Sequence, residues 1–252
     1  MLRFNRTTFF DNVRESLFYG SLSQDQVDGQ DAILAAWEMY RNDADPRWLA
    51  YELATTIHET ASTMMPIEEY GKGSGSDYGD KDPETGQAYY GRGYVQLTWR
   101  DNYAKADREI MAMFGKNPDC EWHAENALVP KVAAGVMFLG MEQGWFRGDD
   151  EGRQTLERYF NDSVEDPVNA RDIINGDISK NGGMIAGYYE KFLYALTEAA
   201  ETVTFPDEVG EEDNEHIPGP SAPEPKEFIY TMKIIATDVS DIVIIAETGE
   251  DT

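Results

Sequence analysis

Apolar side chains recur at helical spacing through most of the first 205 residues, and this periodicity predicts a mainly helical fold. Helices are predicted from Asn5 to Phe18, from Ser23 to Tyr40, and from Pro46 to just before Pro66. Aspartate before proline at residues 45–46 is typical of a helix start, and Pro66 disfavours a helical residue in front of it. Four later helices are predicted near residues 103–114, 132–146, 166–176 and 184–201.

Between residues 65 and 92 the helical pattern is absent, and glycines crowd the stretch GKGSGSDYGDKDPETGQAYYGRG. A loop of this length inside a folded domain is usually functional. The following segment, YVQLTW at residues 94–99, is predicted to be a short strand or an extended segment. We therefore expect the region 65–103 to border a cleft.

The C-terminal part of the chain has a different composition. Residues 206–227 are acidic and proline-rich, which is typical of a linker. Residues 228–252 are rich in β-branched side chains around a turn-like stretch and predict a β-hairpin. Two strands alone are marginally stable in water, so this hairpin is expected to dock on another surface or to mediate self-association.

The charge and cysteine content exclude several functions. The chain has 48 acidic and 21 basic residues, a net charge of −27, and a field of this sign repels nucleic acid. A single cysteine, Cys120, excludes an intramolecular disulfide, and no Cys/His set predicts a metal site. No apolar run is long enough for membrane insertion, and the first residues lack the apolar core of a signal peptide.

Three glutamates flank the start of the glycine-rich loop. Glu59 lies late in the third predicted helix, and Glu68 and Glu69 follow Pro66. Two carboxylates near a groove suit hydrolysis of a glycosidic bond, because one can donate a proton while the other activates water. On spacing alone, a solvated charge at a helix end is the other interpretation.

The literal motifs indicate a family. HET at residues 58–60, followed by YYGRGYVQLTWRDNY at 89–103, resembles the family 19 glycoside hydrolases, a chitinase-like group with a lysozyme-like fold. The segments FFDNVRESLFYGSLSQDQVDG and NARDIING are similar to the phage and prophage endolysins of that group. The resemblance covers roughly residues 4–200. It implies a two-lobed, lysozyme-like domain with a glycine-rich cleft loop, followed here by the linker and the small β element.

The resemblance also implies roles for individual residues. Glu59 matches the general acid, Glu68 the general base, with Glu69 as the alternative, and Thr98 the residue that holds the attacking water. An inverting reaction of this kind places the two carboxyl groups about 6.5–9.5 Å apart. The expected substrate-binding residues are His58, Thr60, Ser74, Tyr90, Gln96, Asn102, Tyr103 and Asn175.

The implied activity is that of an endolysin that cleaves β-1,4 bonds of peptidoglycan. Two alternatives remain: a chitinase acting on chitin oligomers, and a non-catalytic wall-binding or virion-associated module. No metal or organic cofactor is implied. The expected location is the cytoplasm of a bacterial host until lysis, with the cell wall as the site of action.

Some residues admit two interpretations at this stage. The segment with His58 and Glu59 lacks the second histidine of a zinc-protease motif, which disfavours zinc binding. The alternating acids around Asp82 resemble a calcium-binding loop, but the glycine falls one position late, which disfavours calcium binding. Arg92 could approach a sugar or form an ion pair beneath the cleft. The same two interpretations apply to Arg171.

Overall fold

The computed structural model describes residues 2–149 and 152–202. The predicted linker and hairpin lie outside these residues. Within the described ranges, no helix combines the length and the apolar character needed to cross a lipid bilayer.

The described part of the chain is mainly helical, which confirms the predicted fold class. The α-helices are α1 (Arg6–Leu17), α2 (Gln24–Tyr40), α3 (Pro46–Glu59), α4 (Arg100–Phe114), α5 (Pro130–Gln143), α6 (Leu156–Tyr159) and α7 (Gly183–Ala199). Short strands form three antiparallel pairs: β1 (Leu2–Phe4) with β6 (Ala200–Thr202), β2 (Ile67–Glu68) with β3 (Arg92–Gly93), and β4 (Gly148–Asp149) with β5 (Gly152–Arg153).

Helix α3 is the central element of the core. Asp45 caps its N-terminus by accepting a hydrogen bond from the Arg47 backbone, and Pro46 occupies the first turn. Residues 49–57 are buried without interruption, because α7 packs along the helix, α2 contacts it, and Met137 of α5 reaches Thr56. A helix enclosed in this way holds the residue at its C-terminal end, Glu59, in a fixed position.

The prediction that α3 continues almost to Pro66 is wrong, since the helix ends at Glu59. The next residues turn back toward α2, and the Met64 carbonyl oxygen lies only 1.9 Å from where a side chain on Gly29 would begin. Only glycine allows this approach. The Thr60 hydroxyl accepts a hydrogen bond from the Met64 backbone and stabilises the turn.

Residues 94–96 form a turn and Leu97 an isolated β-bridge with Arg92, so of the two predictions for 94–99, a short strand or an extended segment, the continuous strand is wrong. Arg92 and Leu97 exchange two backbone hydrogen bonds, of 3.1 and 2.8 Å, which brings the ends of the turn together. Gln96 has a φ of 57° and Trp99 a φ of 74°. Positive φ values are rare for such residues and cluster at functional sites.

Further differences concern helix limits. The predicted helix at 166–176 is a short 3-10 helix, Asn169–Ile173, followed by a π-helical turn, Ile178–Gly182. Helix α5 stops at Gln143 rather than at Phe146, because Gly144 adopts a left-handed cap. The pairing of β1 with β6 had no signal in the sequence, since it joins residues almost 200 positions apart.

Candidate active site

A cleft of about 240 Å³ gathers residues from four separate segments of the chain. Its lining comprises Glu59, Val95, Gln96, Thr98, Trp99, Asn102, Phe146, Ile174 and Asn175. Helix α3 supplies Glu59, the 94–99 turn and the start of α4 supply five residues, and the other three follow α5 and the 3-10 helix at 169–173. Five residues singled out by the sequence thus border one cavity: Glu59, Gln96, Thr98, Asn102 and Asn175.

Glu59 is held by a buried arginine. Its Oε1 lies 2.5 Å from Nη1 of Arg171, whose side chain is 3% exposed, whereas that of Glu59 is 16% exposed. The Nε atom of Arg171 donates to Asp177 Oδ1 at 2.6 Å. This bond is the main cause that lowers the pKa of Asp177. Arg171 therefore forms ion pairs with two acids, which matches the salt-bridge interpretation of this residue.

Thr98 and Asn102 are fixed by bonds to the turn that carries them. The Thr98 hydroxyl donates to the Gln96 carbonyl oxygen at 2.8 Å, so its lone pairs remain able to accept a hydrogen bond. The Asn102 amide donates to the Thr98 carbonyl oxygen at 2.9 Å. Thr98 can therefore accept a hydrogen bond from a water molecule in the cleft.

Glu68 lies on β2, directly opposite Arg92 on β3, and is not among the residues that line the cleft. Gln96 connects the two regions, because it lines the cleft and its amide donates to the Ile67 carbonyl oxygen at 3.2 Å. Lys72 Nζ lies 2.8 Å from one Glu68 oxygen, and the Tyr90 hydroxyl donates to the other at 2.6 Å. Hydrogen bonds from Lys72 and then Tyr90 lower the pKa of Glu68 and favour its ionised form.

Glu69, the alternative second carboxylate, has a different environment. Its backbone N–H donates to the Gly91 carbonyl oxygen at 2.7 Å, and its carboxylate accepts from the Gly91 backbone at 3.2 Å. The side chain thus joins β2 to the glycine-rich turn. This contact indicates a structural role for Glu69.

Two of the expected substrate-binding residues are fully buried. The Thr60 hydroxyl donates to the Thr56 carbonyl oxygen and accepts from Met64, so it closes the end of α3. The Tyr103 hydroxyl donates to the Tyr90 carbonyl oxygen at 2.8 Å. Both hydroxyls are thus used within the fold, and their positions favour structural roles.

His58 and Ser74 also lie outside the cleft lining. His58 is half-buried at the end of α3, and this burial lowers its pKa more than the neighbouring Glu59 raises it. Ser74 is exposed in the glycine-rich loop, where its backbone N–H donates to the Gly71 carbonyl oxygen. Their assignment to substrate binding remains a prediction.

The two other residues with open interpretations have internal partners. Arg92 is buried, donates to the Ala88 carbonyl oxygen and lies 3.5 Å from Glu68, as expected for an ion pair beneath the loop. The Asp82 carboxylate accepts hydrogen bonds from backbone groups of its own loop and from Arg100. Among the described residues, no group of three or more acids, histidines or cysteines is arranged to hold a metal ion.

Phe146, Ile174 and Asp177 belong to the site but were not identified from the sequence. Phe146 follows α5, and Asp177 follows the 3-10 helix that carries Arg171. Their proximity to Glu59 depends on long-range packing, for which one sequence offers no signal. Ile174 lies within NARDIING and Asp177 directly follows it, and this motif was the nearest available indication.

No protein-family model and no curated protein sequence matches this chain. Among solved structures, a bacterial family 19 chitinase is 20% identical, with a TM-score of 0.49, and the alignment covers 76% of this chain and 94% of that one. Chitinase C from Streptomyces griseus is 19% identical, with a TM-score of 0.48 and coverage of 77% and 92%. A class IV chitinase of family 19 from Zea mays is 20% identical, with a TM-score of 0.42 and coverage of 75% and 91%.

Proposed function

We propose that this chain is a glycoside hydrolase that cleaves β-1,4 bonds of an N-acetylhexosamine polymer with inversion of configuration. The substrate we propose is peptidoglycan, in an endolysin-type lysis reaction. The observation that carries the proposal is the cleft itself, which is lined by Glu59 together with Gln96, Thr98, Asn102 and Asn175. These residues span more than 100 positions, from Glu59 to Asn175, and are among those for which the sequence motifs imply catalytic or sugar-binding roles.

The proposed reaction divides the work between two carboxyl groups. Glu59, in its protonated form, donates to the glycosidic oxygen of the leaving sugar, while Glu68 removes a proton from the attacking water. Thr98 accepts a hydrogen bond from that water and orients it. The donors around Glu68 support its part, because they favour the carboxylate that a base requires.

Arg171 has a defined part in this reaction. A guanidinium in contact with Glu59 stabilises a carboxylate, whereas proton donation needs the neutral acid. Arg171 already divides its hydrogen bonds between Glu59 and Asp177. We infer that Asp177 retains Arg171 when the glycan enters and Glu59 turns toward the glycosidic oxygen as an acid.

The decisive experiment is a turbidity assay on outer-membrane-permeabilised Gram-negative cells. Wild type should clear the suspension, and Glu59→Gln should lower the rate by at least about a hundredfold, the usual contribution of a general acid. Glu198→Gln is the matched control, because Glu198 is exposed on α7 and outside the cleft lining, and it should clear at the wild-type rate.

The same proteins assayed on a soluble chitin oligomer separate the substrates. Clearing of cells with no turnover of the oligomer supports peptidoglycan, whereas turnover of the oligomer alone identifies a chitinase. If wild type and Glu59→Gln sediment equally with cell walls and neither clears them, the chain is a non-catalytic wall-binding module and the proposed hydrolysis is refuted.

A further inference from the structure

The proposed base, Glu68, has polar neighbours on two sides, one exposed and one buried. Lys72 approaches it from solvent, with a side chain that is 61% exposed. Tyr90 and Arg92 approach it from inside the fold, with exposures of 8% and 6%. An exposed ion pair is weakened by water and salt, whereas a buried donor keeps its geometry. The inner pair therefore decides where the carboxylate of Glu68 is held.

Tyr90 is fixed from two directions. The guanidinium of Arg92 lies over its ring, 3.7 Å from the centroid, which is a close cation–π contact. Its backbone carbonyl oxygen accepts a hydrogen bond from the Tyr103 hydroxyl at 2.8 Å, and this hydroxyl in turn accepts from Arg92 Nη1 at 3.0 Å. The ring and backbone of Tyr90, the Tyr103 hydroxyl and the Arg92 guanidinium thus contact one another. The Tyr90 hydroxyl donates a hydrogen bond to Glu68 Oε1 at 2.6 Å.

The geometry points to Tyr90, clamped by Arg92, as a positioning residue for the catalytic base rather than as a sugar contact. This inference rests on the proposed function, because it assigns a role in the same reaction. The phenol hydroxyl fixes one oxygen of Glu68 and leaves the other toward Lys72 and solvent. No covalent step is involved, because Tyr90 acts only through its hydrogen bond to Glu68.

The arrangement also affects recovery of the base after each turnover. Glu68 becomes neutral once it has taken a proton from water, and in the structure its Oε1 lies 3.5 Å from the Nε atom of Arg92. A buried cation and a phenolic donor both favour the ionised carboxylate, so they promote release of that proton to solvent. Tyr90 and Arg92 thus act on the base both before and after the chemical step.

The test compares Tyr90→Phe with Tyr89→Phe. Tyr89 is the neighbouring tyrosine, also buried, and its hydroxyl donates to the Glu121 carbonyl oxygen instead of to a glutamate side chain. We expect Tyr90→Phe to lower kcat about tenfold to a hundredfold at neutral pH, the range for losing a hydrogen bond to a charged group, with little change in KM. The acidic limb of the pH profile of kcat should move to higher pH in Tyr90→Phe. In Tyr89→Phe that limb should stay where it is in wild type.

A second measurement makes the result independent of turnover. The Glu68 carboxyl is titrated by carbon-13 NMR in the free wild type and in both variants. Loss of the Tyr90 hydroxyl should raise the titration midpoint, because a donor that stabilised the carboxylate has gone. Lys72→Met, assayed at high salt, should change kcat less than Tyr90→Phe does, since the exposed pair is screened.

The outcomes separate the two proposals. A raised midpoint in Tyr90→Phe together with an inactive wild type would refute hydrolysis and support the positioning contact. An active wild type whose pH profile and midpoint are the same in both tyrosine variants would refute the positioning role and leave hydrolysis standing. Equal losses of kcat in the two variants, with no shift of the limb, would show a purely structural effect and overturn the inference.

Discussion

Glu52 offers the sharpest test of the core described above. It lies on α3, seven residues or about two turns before Glu59, and is fully buried. Within the described residues, neither of its carboxyl oxygens has a hydrogen-bond partner. Arg41 opposes the effect of burial from a distance and is itself paired with Glu142. Burial raises the pKa of Glu52 well above 4.5, so the folded protein holds this carboxyl as the neutral acid.

This buried acid makes stability depend on pH with a defined sign. The folded state binds the proton more tightly than the unfolded state does, so the stability contribution is complete below about pH 4.5 and is lost as pH rises toward the raised pKa. Within that window the free energy of unfolding falls by about 1.4 kcal/mol per pH unit. Glu52→Gln, a neutral side chain of the same shape, removes this dependence.

We expect Glu52→Gln and wild type to be similarly stable at pH 4.5 and to diverge above it. For a chain of this size, each pH unit of divergence corresponds to about 3–5 °C in Tm, with the variant more stable. Thermal and urea unfolding measured at half-unit steps from pH 4.5 to 8 would determine both curves, and Glu198→Gln is the exposed control. Parallel curves for Glu52→Gln and wild type would refute the assignment of Glu52 as a buried neutral acid.

Three further predictions concern the turn and the cleft. Gly29→Ala should lower the free energy of unfolding by about 1–3 kcal/mol, because the new methyl group meets the Met64 carbonyl oxygen; urea unfolding that matches wild type would contradict this contact. Arg171→Met should lower the free energy of unfolding by about 3–5 kcal/mol, the usual effect of removing one partner of a buried ion pair. A Tm equal to that of wild type, measured by calorimetry, would contradict this prediction. Thr98→Val should reduce kcat at least about tenfold while Thr98→Ser retains most activity, since only serine keeps the hydroxyl; equal rates for the two variants would exclude a water-orienting role.

Local signals in the sequence determined most of the helical elements. Apolar periodicity with an aspartate–proline start identified α3 and its N-terminus correctly, because both features act within a few residues. The motif at residues 89–103 similarly indicated Gln96, Thr98 and Asn102, which share one cleft with Glu59 and Asn175. Such features can be predicted from the sequence because they depend only on residues that are close together in the chain.

Contacts between distant residues determined what the sequence left open. Helix α3 ends at Glu59 because the following turn packs on Gly29, and segment 94–99 turns because Arg92 and Leu97 bond to each other. Arg171 reaches Glu59 across 112 positions, so the same arginine could not be assigned to a sugar contact or an ion pair in advance. Packing and charge pairing depend on the whole fold, and for this reason only the tertiary structure decided which polar side chains face the cleft and which support it from within.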